Sequence, residues 1–286
     1  MTIREVIDRV LAYHPQFPAD YEGCDDFKCG YPEDECTGIV SALVPTVDVI
    51  RKTIDAGANL LLVHEPTFYS TMDYPDWRAG FDNQVYEEKR ELLDKHRITI
   101  WRDHDHMHAH KPDRIFTGVI HYLGWEEYRI ENPADDFMAM SFCLPEMTVA
   151  ELGNLLKEKI GLNGLRYIGR DTDVVRKVAI VGHLLPGSIG GDYTDERGVV
   201  QEYSNKVIHL MENGIEAIIP GEVIDWTVMS YIRDAVALGK TKAVFNIGHF
   251  NMEELGMKYA VKWLREITED KVPVTYVPSE DIYHFM

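Results

Sequence analysis

The stretch TGIVSALVPTVDVIRKTIDAGANLLLVHEP, residues 37–66, predicts a strand, a helix and a second strand. Residues 37–44 form an apolar run, and Thr46 can cap the helix that follows. Gly57 is placed to end that helix, and a second apolar run, residues 58–63, leads into a histidine. Strand, helix and strand in this order form the unit of a parallel sheet, so the predicted fold class is α/β.

The same alternation continues on both sides of this stretch. Helices are predicted at residues 2–14, 84–96 and 113–124, with a strand at 98–101. A proline and acidic residues near 128–136 mark a boundary, beyond which a second series of strands and helices begins. We predict two interlinked α/β domains with mixed or parallel sheets flanked by helices: residues 1–130 with 243–286, and an inserted domain of residues 131–242.

The composition excludes several classes of partner. The 286 residues carry a formal charge of −19, from 29 basic and 48 acidic side chains. Such an acidic surface repels phosphate backbones, so we expect no nucleic-acid partner. No apolar stretch is long enough to span a bilayer and the first residues lack a signal-peptide core, so we expect no membrane partner and a cytoplasmic location. The four cysteines match no strong metal-binding spacing, and we interpret them as free thiols.

Three apolar runs end in residues of the types that bind metals. Residues 58–63 lead into His64 and Glu65, residues 98–101 lead into 103–110, and residues 243–247 lead into 248–254. In open α/β sheets, ligands gather beyond the carboxyl ends of the strands. Three such strand ends could together hold more than one metal ion.

Two of these clusters are pairs with an alternative structural explanation. His249 and Glu253 are four residues apart at the start of a predicted helix, so both could hold one ion. A capping histidine and a first-turn glutamate favoured by the helix dipole would leave the same pattern. His64 and Glu65 could reach one site where the chain turns, or could be an edge histidine beside a solvated glutamate.

The third cluster has a histidine at every second position from His104 to His110. In an extended chain these side chains would share one face at intervals of roughly 6–7 Å. That interval is too long for neighbours to share one ion but suits a site with two ions. We expect only some of the four to be ligands, and a solvated histidine-rich loop would have the same sequence.

Two polar residues follow strands of the second series. His183 precedes a glycine-rich segment, residues 187–191, which lacks the phosphate-binding pattern and predicts a sharp turn. Glu222 follows a strand at 217–219, where it could face a ligand or begin a helix.

Taken together, these segments resemble the Nif-three-like family of YbgI-type proteins, also known as type 2 GTP cyclohydrolase I. Residues 37–66 are similar to the family's segment ending in His-His-Pro, and residues 100–108 fall where the family has His-Thr-Asn-Leu-Asp. Gly248-His249-Phe250-Asn251-Met252-Glu253 is similar to the family's Gly-His-Tyr-Ala-Thr-Glu motif, which is the most specific match. The resemblance spans most of the chain. The family's early Asp-Asn-x-Gly-Leu segment is poorly matched by Asp25-Asp26-Phe27-Lys28.

The resemblance implies a site with two divalent metal ions, for which Zn, Fe, Mn and Ni are candidates. The implied ligands on this chain are His64, Glu65, His104, His108, His249 and Glu253. Glu65 stands where the family has a second histidine, and His108 stands where it has an aspartate ligand. The total number of ligands is kept. The resemblance also implies a homo-oligomer, in the form of a ring-shaped hexamer.

The leading hypothesis is a dinuclear-metal-dependent hydrolase. Two ions roughly 3.5–4 Å apart can share a bridging water and deliver hydroxide at neutral pH. Glu253 is the candidate to bridge them, and His106, His110 or His183, where not ligands, could carry protons. His110 and Glu222 are the candidates for substrate binding. The family points to a purine-type ring, which we generalise to a C–N bond of a small cyclic amide or purine-type heterocycle.

Two other classes of protein remain open. The same residues could form a non-catalytic metal-binding scaffold or a metal-handling protein, with exchangeable ions and no turnover. His104-x-His106-x-His108 is also superficially similar to the His-x-His of amidohydrolase barrels and to the His-x-His-x-Asp-His of metallo-β-lactamase folds. No eight-fold β/α repeat is evident, however, and His108-Ala109 stands in place of the final Asp-His.

Overall fold

Strands and helices alternate along the chain in a computed structural model that describes residues 1–73, 82–132, 139–185, 192–284 and 286. The elements before residue 133 are α1 (Ile3–Tyr13), β1 (Asp26–Cys29), β2 (Ile39–Ala42), α2 (Val47–Asp55), β3 (Leu60–Val63), α3 (Gln84–Lys95), β4 (Thr99–Arg102), α4 (Asp105–His108), α5 (Arg114–Leu123) and a short 3-10 helix (Glu126–Tyr128). The later elements are β5 (Ala139–Thr148), α6 (Val149–Ile160), β6 (Arg166–Ile168), β7 (Val174–Val181), β8 (Tyr193–Thr194), β9 (Val200–Gln201), α7 (Tyr203–Glu212), β10 (Ala217–Pro220), α8 (Val228–Ala237), β11 (Ala243–Asn246), α9 (His249–Thr268) and β12 (Val274–Tyr276). The predicted α/β fold class is confirmed.

The β2-α2-β3 unit forms for the reasons that its sequence indicated. The Thr46 side chain accepts a hydrogen bond from the backbone N–H of Val49 and so caps α2. The helix ends before Gly57, whose φ of +68° is rarely adopted by residues with a side chain. Every residue of β2 and β3 is buried, as expected for parallel strands that are covered on both faces.

The first sheet has the strand order β1-β4-β3-β2-β12. The strands β4, β3, β2 and β12 are mutually parallel, and β1 pairs with β4 in the antiparallel direction. Val63, at the end of β3, is in register with Arg102, at the end of β4. Residues 64 and 103 therefore leave the sheet side by side at its carboxyl edge.

The second sheet has the strand order β5-β7-β10-β11-β6, with β7, β10 and β11 parallel. Its apolar cluster joins the sheet to α7 and α8 through residues such as Val207, Ile218 and Ile232. Our prediction assigned residues 243–286 to the first domain, whereas β11 pairs with β10 in the second sheet. β11 runs almost directly into α9, so no loop in the sequence signals where the chain leaves the second sheet.

The chain divides into two compact units. The first comprises Met1–Val119 with Glu253–Glu280, and the second comprises Ile120–Met252 with Asp281–Met286. In sequence, the two segments of the first unit lie before and after the long segment of the second. The predicted bounds at residues 130 and 243 stay a prediction. None of the helices in the described part of the chain is long and apolar enough to cross a membrane. The predicted glycine-rich turn at 187–191 lies outside the described residues.

Candidate metal centre

The carboxyl edge of the first sheet brings residues 64 and 103 together. The N–H of Asp103 donates to the carbonyl of Val63 at 2.8 Å, which extends the pairing of β3 and β4 by one residue. The N–H of His64 donates to the carbonyl of Leu43 at 3.1 Å. Both side chains are therefore fixed at the edge where α/β sheets bind their ligands.

His64 is fully buried, and its two ring nitrogens have different surroundings. Nδ1 lies 3.0 Å from the backbone carbonyl of Asp103, and because a carbonyl only accepts, Nδ1 carries the proton. Nε2 therefore presents a lone pair; it has no hydrogen-bond partner among the described residues and lies 3.4 Å from Oε2 of Glu253. Burial, followed by the charge of His104, holds the pKa of His64 well below its ordinary value. A neutral imidazole with an available lone pair is the form of histidine that binds metals.

The short helix α4 brings two further histidines to His64. Because residues 105–108 form a helical turn, His104 and His108 lie on the same side of it. The ring centroids of His64 and His104 are 4.4 Å apart, those of His64 and His108 are 4.9 Å apart, and those of His104 and His108 are 4.8 Å apart. The histidine run is thus not extended, and its first and third histidines share one site.

A carboxylate lies within hydrogen-bond distance of Nδ1 in each of these two histidines. Nδ1 of His104 lies 2.7 Å from Asp105 Oδ1, and Nδ1 of His108 lies 2.6 Å from Asp113 Oδ2. Both rings keep Nε2 for another partner, and a carboxylate behind a histidine is a common arrangement at metal sites. Burial lowers the pKa of His108, but the Asp113 carboxylate outweighs it and raises this pKa to about 9. Sequence reasoning missed Asp113, which is the residue after Pro112 and bonds back across a loop.

Two buried carboxylates complete the cluster. Glu65 and Glu253 are 9% and 2% exposed, and the guanidinium of Arg102 lies 3.5 Å from Oε2 of Glu65. One potential ligand atom from each of His64, Glu65 and Glu253 lies within 4.8 Å of the other two. The same holds for His64 with His104 and His108. Five of the six predicted ligands are therefore brought together in the first unit, around His64.

Asp25 shapes the turn that carries these histidines. Its Oδ1 accepts from the backbone N–H groups of His104 and Asp105 at 2.7 and 2.9 Å. Its Oδ2 accepts from the backbone N–H of His106 at 2.8 Å and lies 2.7 Å from Nδ1 of the same residue. Burial raises the pKa of Asp25, but these hydrogen bonds outweigh it and leave the pKa lowered. Sequence reasoning gave Asp25 no role, since its partners are about 80 residues away.

The other two histidines of the run lie apart from this cluster. Burial lowers the pKa of His106, but the Asp25 carboxylate outweighs it and leaves the pKa raised. His110 Nε2 lies 2.8 Å from Nδ1 of His14, whose Nε2 lies 3.0 Å from Oδ2 of the fully buried Asp103. His106 and His110 therefore belong to a second layer of polar groups. Sequence reasoning missed His14 in this layer, and it gave Asp103 no role of its own.

The remaining predicted residues lie in the second unit. The ring centroids of His183 and His249 are 4.0 Å apart, and Nδ1 of His249 lies 3.5 Å from Oε2 of Glu222. A Cβ atom at Gly221 would lie 2.7 Å from the ring of His183, so only glycine leaves room for this ring. His249 is the first residue of α9, and Glu253 follows it by one turn of the same helix.

The fold and these donors define an α/β protein with a candidate metal centre of imidazoles and carboxylates, a donor set that suits divalent transition metals. The buried lone pair of His64 fits such an ion, because nothing described in the chain satisfies it. The chain belongs to the Duf34/NIF3 (NGG1p interacting factor 3) family, whose model matches residues 1–188. The family resemblance that the three motifs indicated is confirmed.

Similar proteins cover most or all of the chain. A Clostridium perfringens protein described as a GTP cyclohydrolase 1 type 2 homolog is 27% identical over 273 residues, which are 93% of each chain. A hypothetical protein of Staphylococcus aureus superposes with a TM-score of 0.70 at 16% identity, covering 100% of this chain and 99% of that one. Protein ybgI, of unknown function, superposes with a TM-score of 0.68 at 16% identity, covering 99% and 100%. At such identities the two structures show a shared fold.

Proposed function

We propose that this protein is a hydrolase that depends on two divalent metal ions and cleaves a C–N bond of a small cyclic amide or purine-type heterocycle. The observation that carries the proposal is the buried Nε2 of His64, which has no hydrogen-bond partner within the described ranges and has two histidines and two glutamates around it. Leaving a polar atom buried without a partner costs roughly 1–3 kcal/mol, which a bound ion would offset. The name of the Clostridium perfringens relative supports the class of reaction.

We propose the six residues that the resemblance implied as the metal ligands: His64, Glu65, His104, His108, His249 and Glu253. The first-unit cluster supports five of them. The sixth, His249, stands one helical turn before Glu253, a spacing at which both side chains project from one face of α9. Imidazole and carboxylate donors are compatible with Zn, Fe, Mn or Ni.

The protein's own residues would bind the substrate and move protons. Bound ions would supply Lewis acidity toward the carbonyl or amidine carbon and would make a water acidic enough to react at neutral pH. Glu253 is proposed to act in catalysis as well as binding, since its Oε2 lies 3.4 Å from Nε2 of His64. His106, braced by Asp25, and His183 are proposed to hold or pass protons, and His110 and Glu222 to contact the substrate.

The first experiment measures metal content per chain by elemental analysis of untagged protein purified without added metal. We expect about two equivalents in the wild type, and a loss of at least one in Glu253→Gln and in His64→Ala, because each variant removes a ligand. His96→Ala is the matched control, since His96 is an exposed histidine of the same unit and should leave the content unchanged. Wild-type protein without metal, even after reconstitution, would contradict the proposal.

A second measurement separates catalysis from metal storage. Metal-loaded wild type and Glu253→Gln would be compared for hydrolysis of cyclic amides and purine nucleotides. Turnover by the wild type, with a loss of at least about a hundredfold in Glu253→Gln, would support the hydrolase. Full metal content without turnover of any of these compounds would favour the scaffold or metal-handling protein instead.

We also propose that the protein forms a homo-oligomer, a ring-shaped hexamer, in the cytoplasm. The family resemblance supports the assembly. The cysteines support the compartment, since Cys24, Cys29, Cys36 and Cys143 are all free thiols, the state that a reducing compartment maintains.

A further inference from the structure

A cavity of about 270 Å³ opens in the second unit, and none of its lining residues has been assigned a role so far. It lies at the carboxyl end of β11, where Asn246 lines it, and beside the loop after β10, where Asp225 lines it. The edge strand β6 and the helix α8 supply its other walls. The carboxyl edge of parallel strands is where open α/β sheets bind ligands. The volume is just below the roughly 300–1,000 Å³ of common ligand pockets, so an occupant would be small.

The charge of this cavity is opposite to that of the chain. Arg166 and Arg233 line it, and Asp225 is the single carboxylate among its lining residues, which leaves a net charge of +1. Neither guanidinium group has a hydrogen bond or an ion pair with any residue of the described ranges. In a chain with 48 acidic side chains, two arginines without carboxylate partners in one small cavity are an unusual placement. Guanidinium groups bind carboxylates and phosphates through paired N–H donors.

The floor of the cavity is apolar. Val244 and Met229, which line it, are 1% and 6% exposed and belong to the core cluster of the second unit. An occupant would therefore place its charged group toward the arginines and an apolar body on this floor. Asn246 adds a side-chain amide at the same edge.

We infer that this cavity binds a small molecule with a carboxylate or phosphate group, held by Arg166 and Arg233, and with an apolar body that covers Met229 and Val244. The inference uses no residue of the candidate metal centre. It stands or falls independently of the proposed hydrolase activity.

The test uses the full-length protein and calorimetric titration with inorganic phosphate in one arm and butyrate in the other. Butyrate carries both a carboxylate and an apolar body, so the arms distinguish the two oxyanions. We expect saturable binding in at least one arm, weakened about tenfold or more in Arg166→Gln and in Arg233→Gln. Arg176→Gln is the matched control, because Arg176 is an exposed arginine on β7 outside the cavity, and it should bind as the wild type does.

Three results would overturn the inference. The first is the absence of saturable binding in both arms. The second is equal weakening by Arg176→Gln, which would indicate a general charge effect. The third is binding that is lost in Glu253→Gln but kept in both cavity variants, which would place the anion at the metal centre.

Discussion

The hydrogen bond that Nδ1 of His64 donates determines what the other ring nitrogen, Nε2, can bind. Donation from Nδ1 to a backbone carbonyl leaves Nε2 as an acceptor, to which no group in the described part of the chain donates. The two departures from the family motifs, Glu65 and His108, exchange a histidine for a carboxylate and a carboxylate for a histidine. The number of carboxylates is therefore unchanged, so the negative charge of the candidate centre is kept while its position moves.

Asp25 is the residue whose change we expect to affect this centre without removing a ligand. In Asp25→Asn an amide N–H₂ would face the N–H of His106 or those of His104 and Asp105, because the carboxylate now accepts on both oxygens. We expect metal affinity to fall roughly 10–100-fold, as for other residues that orient ligands. Metal titration of the variant and the wild type measures this.

Asp26→Asn is the control for this change, because Asp26 is the exposed neighbour of Asp25. It should bind metal as the wild type does. If Asp25→Asn also binds with wild-type affinity, the hydrogen bonds from the turn are not needed to hold the ligands.

Lys89 predicts a measurable pH dependence of stability. The side chain is buried, donates to the Thr67 carbonyl at 2.6 Å, and has its pKa lowered by burial to about 8, against an ordinary value of 10.5. Between these values the unfolded chain binds a proton that the folded chain has released, so the free energy of unfolding rises with pH. The gain approaches about 3 kcal/mol at high pH.

Urea unfolding between pH 7.5 and 10.5 tests this prediction. The wild type should gain stability relative to Lys89→Met across this range, whereas Lys95→Met, at an exposed lysine of α3, should follow the wild type. A constant difference between wild type and Lys89→Met would show that Lys89 titrates as an ordinary lysine.

The limits of sequence reasoning are clearest in the histidine run. Alternating histidines have the period of a strand, and nothing local opposes that interpretation. The turn that begins at His104 is stabilised by the carboxylate of Asp25, which lies far upstream in the chain, so a local pattern cannot reveal it. The residue types that gather around His64 could be predicted from the motifs, but the separation of His106 and His110 from His104 and His108 could not.

The start of α6 is specified by its sequence, as that of α1 is. Thr148 accepts from the N–H of Glu151 at 3.2 Å, and the Glu151 carboxylate accepts from the N–H of Thr148 at 2.7 Å. This reciprocal arrangement is a capping box. We expect Thr148→Ala to lower the free energy of unfolding by about 1 kcal/mol, and Thr148→Ser to keep most of it.

Urea unfolding of both variants measures the effect. Thr172→Ala, at an exposed threonine in a turn, is the control and should unfold as the wild type does. Equal stability of Thr148→Ala and the wild type would mean that packing alone determines where α6 begins.

The strands divide into two groups according to how well the sequence predicts them. The central strands β2, β3 and β4 are uninterrupted buried runs, so their positions could be predicted to within a few residues. The edge strands β1 and β6 and the short β12 were missed. Their burial is mixed, and they exist because a neighbouring strand offers hydrogen bonds, which is a tertiary effect.

For the whole molecule, the charge of −19 bears on the proposed hexamer. Six such chains repel one another, and raising the salt from about 0.01 to about 1 M shortens the screening length from about 30 Å to about 3 Å. We therefore expect the assembled fraction of the protein to increase with salt. The assembled species should have six times the mass of the chain. Light scattering over this range measures it, and a monomer at every salt concentration would contradict the proposal.

The course of the chain through the two units is also a property of the whole molecule. The β-α-β pattern predicted two sheets and a return of the chain to the first one. In the structure β11 pairs in the second sheet, and β12, which follows α9, pairs in the first. The predicted bounds at residues 130 and 243 stay a prediction. A helix that begins in one unit and continues in the other gives no signal in composition.

The pairing of β3 with β4 limits how mutations can change the surroundings of His64. The group that sets the proton on His64 is the main-chain carbonyl of residue 103, and its place follows from the alignment of Val63 with Arg102. No codon change at position 103 can delete that carbonyl. The alignment of β3 and β4 thus determines which ring nitrogen of His64 carries the proton. Mutations can change the side chains around His64 without affecting this, for as long as that alignment persists.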